Sequence, residues 1–473
     1  MLLKYFYDDA LAQASYMVGC QKTGEAAIID PSRNIDTYFD TAEKEGMTIT
    51  KVLETHIHAD FVSGAREMAE RSSATIYYSL EGEGDESGEY KFDSSLPQQG
   101  VRDGDQIKLG NVTFDVWHTP GHTPEHITFL LTDGAASDEP LGMFTGDFIF
   151  VGDVGRPDLL EKAAGVKDSA KKGAEQMFHS LEKAKEMDPT LQIWPGHGAG
   201  SACGKSLGSI PTTTLGYELK TNPALQYNDE KNFTDFLLDE QPVPPAYFAV
   251  MKKVNKEGAP LLKDQKTPLR YGSNVKKMDN ILEADVTVVD TRSREAYSQS
   301  HIPGSINIPY DSSFTNWAGS LISYDKPVYF IASSYTFAEI IEAMNAIGLD
   351  KTAGFFTPAI VESFEEEHGT GQYEVISPED AYEKQNNNEL QILDIREDHE
   401  YEAEHVENAK HMVINYLPEK GDDLPDKTLA LYCGSGARSA IATSILKSKG
   451  FDVKNIKGGF MRWKKENLPT ASE

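Results

Sequence analysis

The stretch ETHIHADFVSG, residues 54–64, follows the apolar run ITKVL and brings His56, His58 and Asp60 together just ahead of Phe61. Neutral imidazoles and carboxylates at the end of a strand are the usual ligands of a divalent transition metal. An imidazole at position 61 would let such a loop serve two ions. A phenyl ring cannot coordinate.

The same arrangement recurs down the first 200 residues. EAAIIDPS (25–32) and ITKVLETH (49–56) read as buried strands running into polar loops. Residues 106–134 read as an antiparallel meander with the His-rich loop HTPGHTPEH, which contains His118 and His122. PLGMFTGDFIF (140–150) places Asp147 at a strand exit, and LQIWPGHG (191–198) places His197 after another. Residues 173–187 have helical spacing, and Cys20 falls inside a strand pattern as a core residue. Polar clusters that each follow an apolar strand gather along one rim of a packed sheet.

Length and composition bound the rest. The chain has 473 residues, room for about three domains of roughly 150 residues. Its formal net charge of -30 argues against nucleic acid as a partner, since phosphate recognition needs clustered Lys and Arg. An anionic substrate then needs a locally positive pocket. No apolar run approaches the ~20 residues that span a bilayer, and the N-terminal MLLKYFYDDALAQ lacks the apolar core of a signal peptide. A cytoplasmic protein without membrane association is expected. Cysteines stand only at 20, 203 and 433, too far apart in sequence to suggest a disulfide framework.

Beyond a polar stretch at 263–278, read as a linker, the chain repeats itself. VTVVDTRSREAYSQSHIPGSINIP (286–309) parallels LQILDIREDHEYEAEHVENAKHMV (390–413), with Asp290 matching Asp394 and His301 matching His405. Two copies of one α/β unit are expected, separated by a break near 365–380, where Ser377-Pro378 reads as a helix start. In the second copy the apolar strand LALY ends at Cys433, and Gly434, Ser435, Gly436 and Ala437 lead to Arg438 and a helix. Successive N–H groups in such a loop form an anion nest, and the helix N-terminus and Arg438 add positive charge that favours the thiolate. In the first copy, aligning VYFIASSYTF places Ala332 at the cysteine and Phe337 at the arginine. That copy is expected to be catalytically silent and to serve packing or positioning.

The first-half motifs resemble the metallo-β-lactamase fold superfamily, over roughly residues 1–245. The expected fold is α/β and multidomain: an αββα sandwich over 1–250, then rhodanese-like domains over 272–370, silent, and 374–473, active. In the superfamily's dinuclear hydrolases, such as glyoxalase II, the loop reads HxHxDH, and its last His is Phe61 here. The resemblance to the persulfide dioxygenases implies one Fe(II) per chain, held by His56, His122 and Asp147. Three-ligand coordination leaves adjacent positions for substrate and O2. His58, Asp60, His118 and His197 would then orient the ligands or hydrogen-bond the substrate. A zinc enzyme of this fold would use His58 as a third His ligand.

The Cys433 loop resembles the rhodanese C-x-x-x-x-R loop, and Asp394 with Arg396 its D-x-R motif. A phosphatase type sharing that fold has a loop one residue longer, which favours sulfur transfer here. Cys203, in a Gly- and Ser-rich loop expected to be mobile at the rim, is open to relaying sulfane sulfur or controlling substrate access, or is an unimportant thiol. Lys205 could lower its pKa or draw in an anion. Arg156, in VGDVGRPDLL, could bind a substrate carboxylate or pair with Asp158. The whole chain resembles bacterial persulfide dioxygenase–rhodanese fusions. That implies oxidation of a low-molecular-weight thiol persulfide (of the glutathione, coenzyme A, bacillithiol or cysteine type) by O2 to sulfite. Sulfite would then receive sulfur from Cys433 to give thiosulfate. A homo-oligomer is expected. The alternatives are a mononuclear zinc thioester hydrolase fused to a sulfur-carrier rhodanese, and a non-enzymatic sulfur carrier or sensor.

Overall fold

The computed structural model describes every residue except 85–87, 93–94, 166, 240, 242, 426 and 473. It divides into two compact units, Met1–Gln265 with Asn345–Gly348, and Lys266–Met344 with Leu349–Glu473.

In the first unit, six strands pair in chain order into one sheet: Leu2–Asp8, Gln13–Cys20, Glu25–Ile29, Thr48–Leu53, Thr75–Ser79 and Gln98–Val101. Six more form a second sheet in the same sequential way: Gln106–Leu109, Val112–His118, Ile127–Asp133, Gly142–Gly146, Gln192–Pro195 and Thr213–Thr214. Period-two alternation builds the layers. Ala14, Tyr16 and Val18 share one core with Phe114, Ile127, Phe129 and Leu131, so the sheets pack face to face there. Met17 and Ile28 point the other way, into a core with Ala65, Met68 and Ala69 of helix Ala65–Ser72. Met143 and Ile193 leave the second sheet toward Met177 and Leu181 of helix Ser169–Lys185. The result is the expected αββα sandwich. Its strand ends at 53, 118, 146 and 195 deliver the loops that carry the metal-ligating residue types.

The second unit holds two five-stranded sheets. One has the spatial order Leu269–Gly272, Thr352–Phe356, Val328–Ile331, Thr287–Asp290, Ile306–Asn307, and is parallel throughout. The other has Glu374–Ile376, Val453–Ile456, Leu429–Tyr432, Gln391–Asp394, Lys410–His411. The reading of 263–278 as a linker is corrected: 269–272 is an edge strand and Val275–Leu282 a helix. Its polar look arises because an edge strand and an amphipathic helix each keep one face in solvent. Ser377 does cap helix Pro378–Asn386, its Oγ accepting from Asp380 N at 3.0 Å.

The repeat is exact in its internal ties. Arg292 grips Asp290 and the Ser300 carbonyl, as Arg396 grips Asp394 and the Glu404 carbonyl. Tyr297 stacks on His301 at 4.1 Å, as Tyr401 does on His405 at 3.8 Å. Asp290 sits opposite Ile331 and Asp394 opposite Tyr432. Ala332 and Cys433 are therefore equivalent, each the first residue beyond its strand.

Helix Ala437–Ser448, which begins at the Cys433 loop, is buried continuously from Ser439 to Leu446. Edge strand Ile306–Asn307 of the other copy meets it, and Asn307 N donates to Ser444 Oγ at 2.8 Å. Ser444→Ala would leave that buried N–H without its acceptor. A loss of about 1–3 kcal/mol in stability is expected, measured by urea unfolding. No change within error would show the contact to be energetically idle.

Candidate metal centre and cysteine loop

His56, His122 and Asp147 offer ligand atoms that all lie within 4.8 Å of one another, and all three residues are buried. Each is fixed from behind. His56 Nδ1 meets Thr55 Oγ1 at 3.0 Å, and that hydroxyl donates to Asp30 Oδ2 at 2.8 Å. His122 Nδ1 faces the Arg156 carbonyl at 2.9 Å. Both Nε2 atoms are thereby turned toward Asp147 Oδ2, at 3.9 and 3.5 Å. Burial, aided by the neighbouring His58 and His122, holds His56 well below the ordinary histidine range; burial also lowers His122 despite Asp147. Neutral imidazoles are the ligating form.

Asp147 Oδ1 is engaged by His197 Nδ1 at 2.7 Å, and His197 Nε2 meets Asp60 Oδ2 at 2.6 Å. Burial opposes charge on His197, but Asp147 and Asp60 outweigh it and raise its pKa well above normal. Asp147 Oδ2 has no hydrogen-bond partner although it is fully buried. A buried orphan carboxylate oxygen facing two neutral imidazole nitrogens is what one divalent cation would satisfy. The residues fit a metal held by His56, His122 and Asp147.

His58 is turned elsewhere. Its Nε2 lies 3.2 Å from Asp30 Oδ1 and 3.8 Å from Glu54 Oε2, in a second buried group. Burial works against its charge, yet Asp30, Glu54 and Asp60 raise its pKa to about 9. The Phe61 ring, itself buried, packs on the His58 ring at 4.4 Å. Phe61 therefore removes a ligand and also holds His58 against its carboxylates. Gly146, at φ +47°, is needed for the close approach here: a Cβ would lie 2.5 Å from Thr55 Oγ1 and 2.9 Å from His126 Nε2.

Several expectations are corrected. His118 Nε2 bonds the Pro124 carbonyl at 2.9 Å and braces the loop, and its ring is not among the three residues whose ligand atoms cluster. The inner position belongs to His126, whose Nε2 accepts from Asp147 N at 3.1 Å. The Cys203 side chain is buried and groups with Asp60 and His197. Burial and the Asp60 and Asp147 carboxylates push its thiol well up, the reverse of activation. Lys205 Nζ reaches the Phe236 carbonyl and ring instead of the thiol. Sequence reasoning also missed Asp30, Glu125 and Lys252. Glu125 Oε1 accepts from Ile57 N at 3.0 Å, and Lys252 Nζ lies 3.7 Å from it. Asp30 and Glu54 follow apolar strands, so the strand-end rule could have found them; Lys252 carries no local signal.

Arg156 takes the bracing role. Its Nε and Nη2 each donate to Asp158 at 2.7 Å, and the side chain is fully buried. Burial alone would raise Asp158, but Arg156 and Lys162 bring its pKa below the usual value. Its stabilising contribution is full at neutral pH and is lost as pH falls through that lowered value. Arg156→Leu leaves Asp158 with Lys162, 2.9 Å away, in place of a two-point buried pair, and is expected to cost about 3 kcal/mol, the lower end for breaking a buried pair. Thermal unfolding checks this, and an unchanged midpoint would contradict it.

In the second unit, Cys433 is buried and its Sγ accepts from Gly436 N at 3.1 Å. Gly436 is buried, Ser435 is exposed, and Gly434 and Ala437 are intermediate. Gly459, at φ +57°, sits beneath the loop, where a Cβ would come within 2.2 Å of the Cys433 carbonyl. Arg438 does not present a free charge: its Nη1 and Nη2 donate to the Glu400 carboxylate at 2.7 and 2.9 Å. In the first copy, Phe337 is buried at the position matching Arg438.

The metallo-β-lactamase superfamily model matches residues 8–197, and the rhodanese-like domain model matches 274–360 and 377–466. A solved metallo-β-lactamase from Staphylococcus aureus is 46% identical, with a TM-score of 0.67, covering 76% of this chain and 99% of that one. A hydroxyacylglutathione hydrolase of Rhodospirillum rubrum is 31% identical over 182 residues, 38% of this chain and 60% of that protein. An uncharacterised protein of Mycobacterium bovis is 27% identical over 242 residues, 48% of this chain and 98% of that protein. With this sandwich, this metal-ligating group and these matches together, the chain belongs to the metallo-β-lactamase superfamily and carries two rhodanese-like domains.

Proposed function

We propose that the chain oxidises low-molecular-weight thiol persulfides with O2 and passes sulfane sulfur to the resulting sulfite. The first step balances as RSSH + O2 + H2O giving RSH, sulfite and two protons. In the second, the Cys433 thiolate attacks the terminal sulfur of another RSSH and releases RS⁻, leaving Cys433–S–SH. Sulfite takes that sulfur and regenerates the Cys433 thiol, and thiosulfate leaves.

The observation that carries the reading is the orphaned Asp147 Oδ2 facing the Nε2 atoms of His56 and His122, with Phe61 where a second metal would need a ligand. Ferrous iron, one per chain, would supply there the redox chemistry that no side chain of the protein can. The chain's own residues do the rest. Asp30 through Thr55, and His197 through Asp147, keep the ligand atoms aimed. The Lys252 ammonium beside Glu125 offers positive charge near the loops for an anionic persulfide. Gly436 N–H supports developing charge on the Cys433 sulfur.

A zinc thioester hydrolase is the second reading, favoured by the 31% identity to a hydroxyacylglutathione hydrolase. A three-histidine zinc set would need His58, which instead sits against Asp30 and Glu54. Metal analysis of anaerobically purified protein, with O2 uptake on a panel of thiol persulfides, decides between them. Iron with persulfide-dependent uptake supports the proposal. Full activity with zinc alone, or two ions per chain, overturns it. The carrier thiol is one of glutathione, coenzyme A, bacillithiol or cysteine, and the same panel identifies it.

A further inference from the structure

We infer that Glu400 sets the charge preference of the Cys433 loop. By holding Arg438 in a two-point ion pair it makes the cradle accept a neutral or singly charged sulfur donor and disfavour a doubly charged one such as thiosulfate. The inference rests on the reading of this loop as a sulfane-sulfur site.

Both terminal nitrogens of Arg438 are committed to Glu400, so two of the guanidinium's directed donors point away from an incoming anion and its charge is balanced. Glu400 is itself fixed, its Oε2 accepting from Glu397 N at 3.3 Å. What remains to receive substrate is the ring of loop amides with the helix terminus, a partial charge that suits one negative charge better than two.

The repeat supplies an internal control. Helix Asp398–Ala403 has its counterpart in Arg294–Gln299, at the same spacing that relates Asp394 to Asp290. There Ala296 replaces Glu400 and Ser293 replaces Glu397, and Ser293 Oγ caps the helix by accepting from Ala296 N at 3.2 Å. The helix, the Asp–Arg grip and the Tyr–His stack all persist without the carboxylate. Glu400 also closes a capping box with Glu397 at the start of its helix, but the matching helix forms with Ala296 in its place in the copy that lacks both cysteine and arginine, so the fold does not require the pair with Arg438. Its position also bears on direction: a cradle that holds thiosulfate weakly releases that dianion readily and uses it poorly as a donor.

The test is Glu400→Gln in the full chain, with Glu400→Asp as the charge-retaining control. Removing one full charge near the loop is expected to lower the KM for thiosulfate roughly tenfold, while the KM for a neutral donor changes less than about twofold. Independently of turnover, the ratio of Cys433 alkylation by anionic iodoacetate to that by neutral iodoacetamide is expected to rise roughly tenfold. Cys433→Ser provides the blank, and Glu400→Asp should keep the wild-type ratio. An unchanged alkylation ratio together with a uniform fall in kcat would make Glu400 merely structural and overturn the inference. If the wild-type protein transfers no sulfur yet the alkylation ratio shifts, the sulfur-transfer reading fails while the charge-setting role stands.

Discussion

Asp147→Ala is expected to empty the metal site and abolish persulfide-dependent O2 uptake together. The carboxylate does two jobs from one buried position. Oδ2 faces the Nε2 atoms of His56 and His122, and Oδ1 binds His197 at 2.7 Å. Removing it leaves two neutral imidazoles, too few for a tight divalent site, and deprives the raised His197 of one of its two carboxylates. Loss of groups that merely orient a ligand weakens metal binding roughly 10–100-fold, so loss of the ligand itself should exceed that range. Metal content after anaerobic purification and O2 uptake are the paired measurements. Wild-type iron content with lost uptake would remove Asp147 from the ligand set. Retained uptake would refute the proposed centre altogether.

Cys433→Ser is expected to switch the product from thiosulfate to sulfite while O2 uptake stays within about twofold of wild type. The residues proposed for the two chemistries lie in different compact units, so loss of the nucleophile should not touch the proposed oxygen-consuming step. Sulfur transfer itself should fall by roughly 10³ or more, as for other enzymes that lose their nucleophile. Serine keeps the size of the side chain, and Gly436 N can still donate to it, so the loop is expected to hold its shape. Product analysis by ion chromatography after a fixed O2 consumption gives the answer. Undiminished thiosulfate would refute the division of labour between the two units.

The sequence by itself determined the architecture and the types of chemistry. Apolar strands that run into loops carrying His or Asp announced a packed sheet with a functional rim, because alternation and strand length are local properties; the sandwich itself was implied by the resemblance of those motifs to the metallo-β-lactamase superfamily. The matched spacing of Asp290 with Asp394 and of His301 with His405 announced the repeat, and Cys433 and Arg438 against Ala332 and Phe337 told the copy that carries the cysteine loop from the one that lacks it. Which residues meet was decided only by the tertiary structure. His118 and His126 sit in one short motif, yet only His126 reaches Asp147, because their loop folds back on the Pro124 carbonyl. Cys203 is buried near the Asp60 and Asp147 carboxylates, and Arg438 is paired with Glu400. Each of these outcomes is set by desolvation and by charges brought close from distant parts of the chain. Such terms depend on three-dimensional proximity, and no spacing along a sequence encodes them.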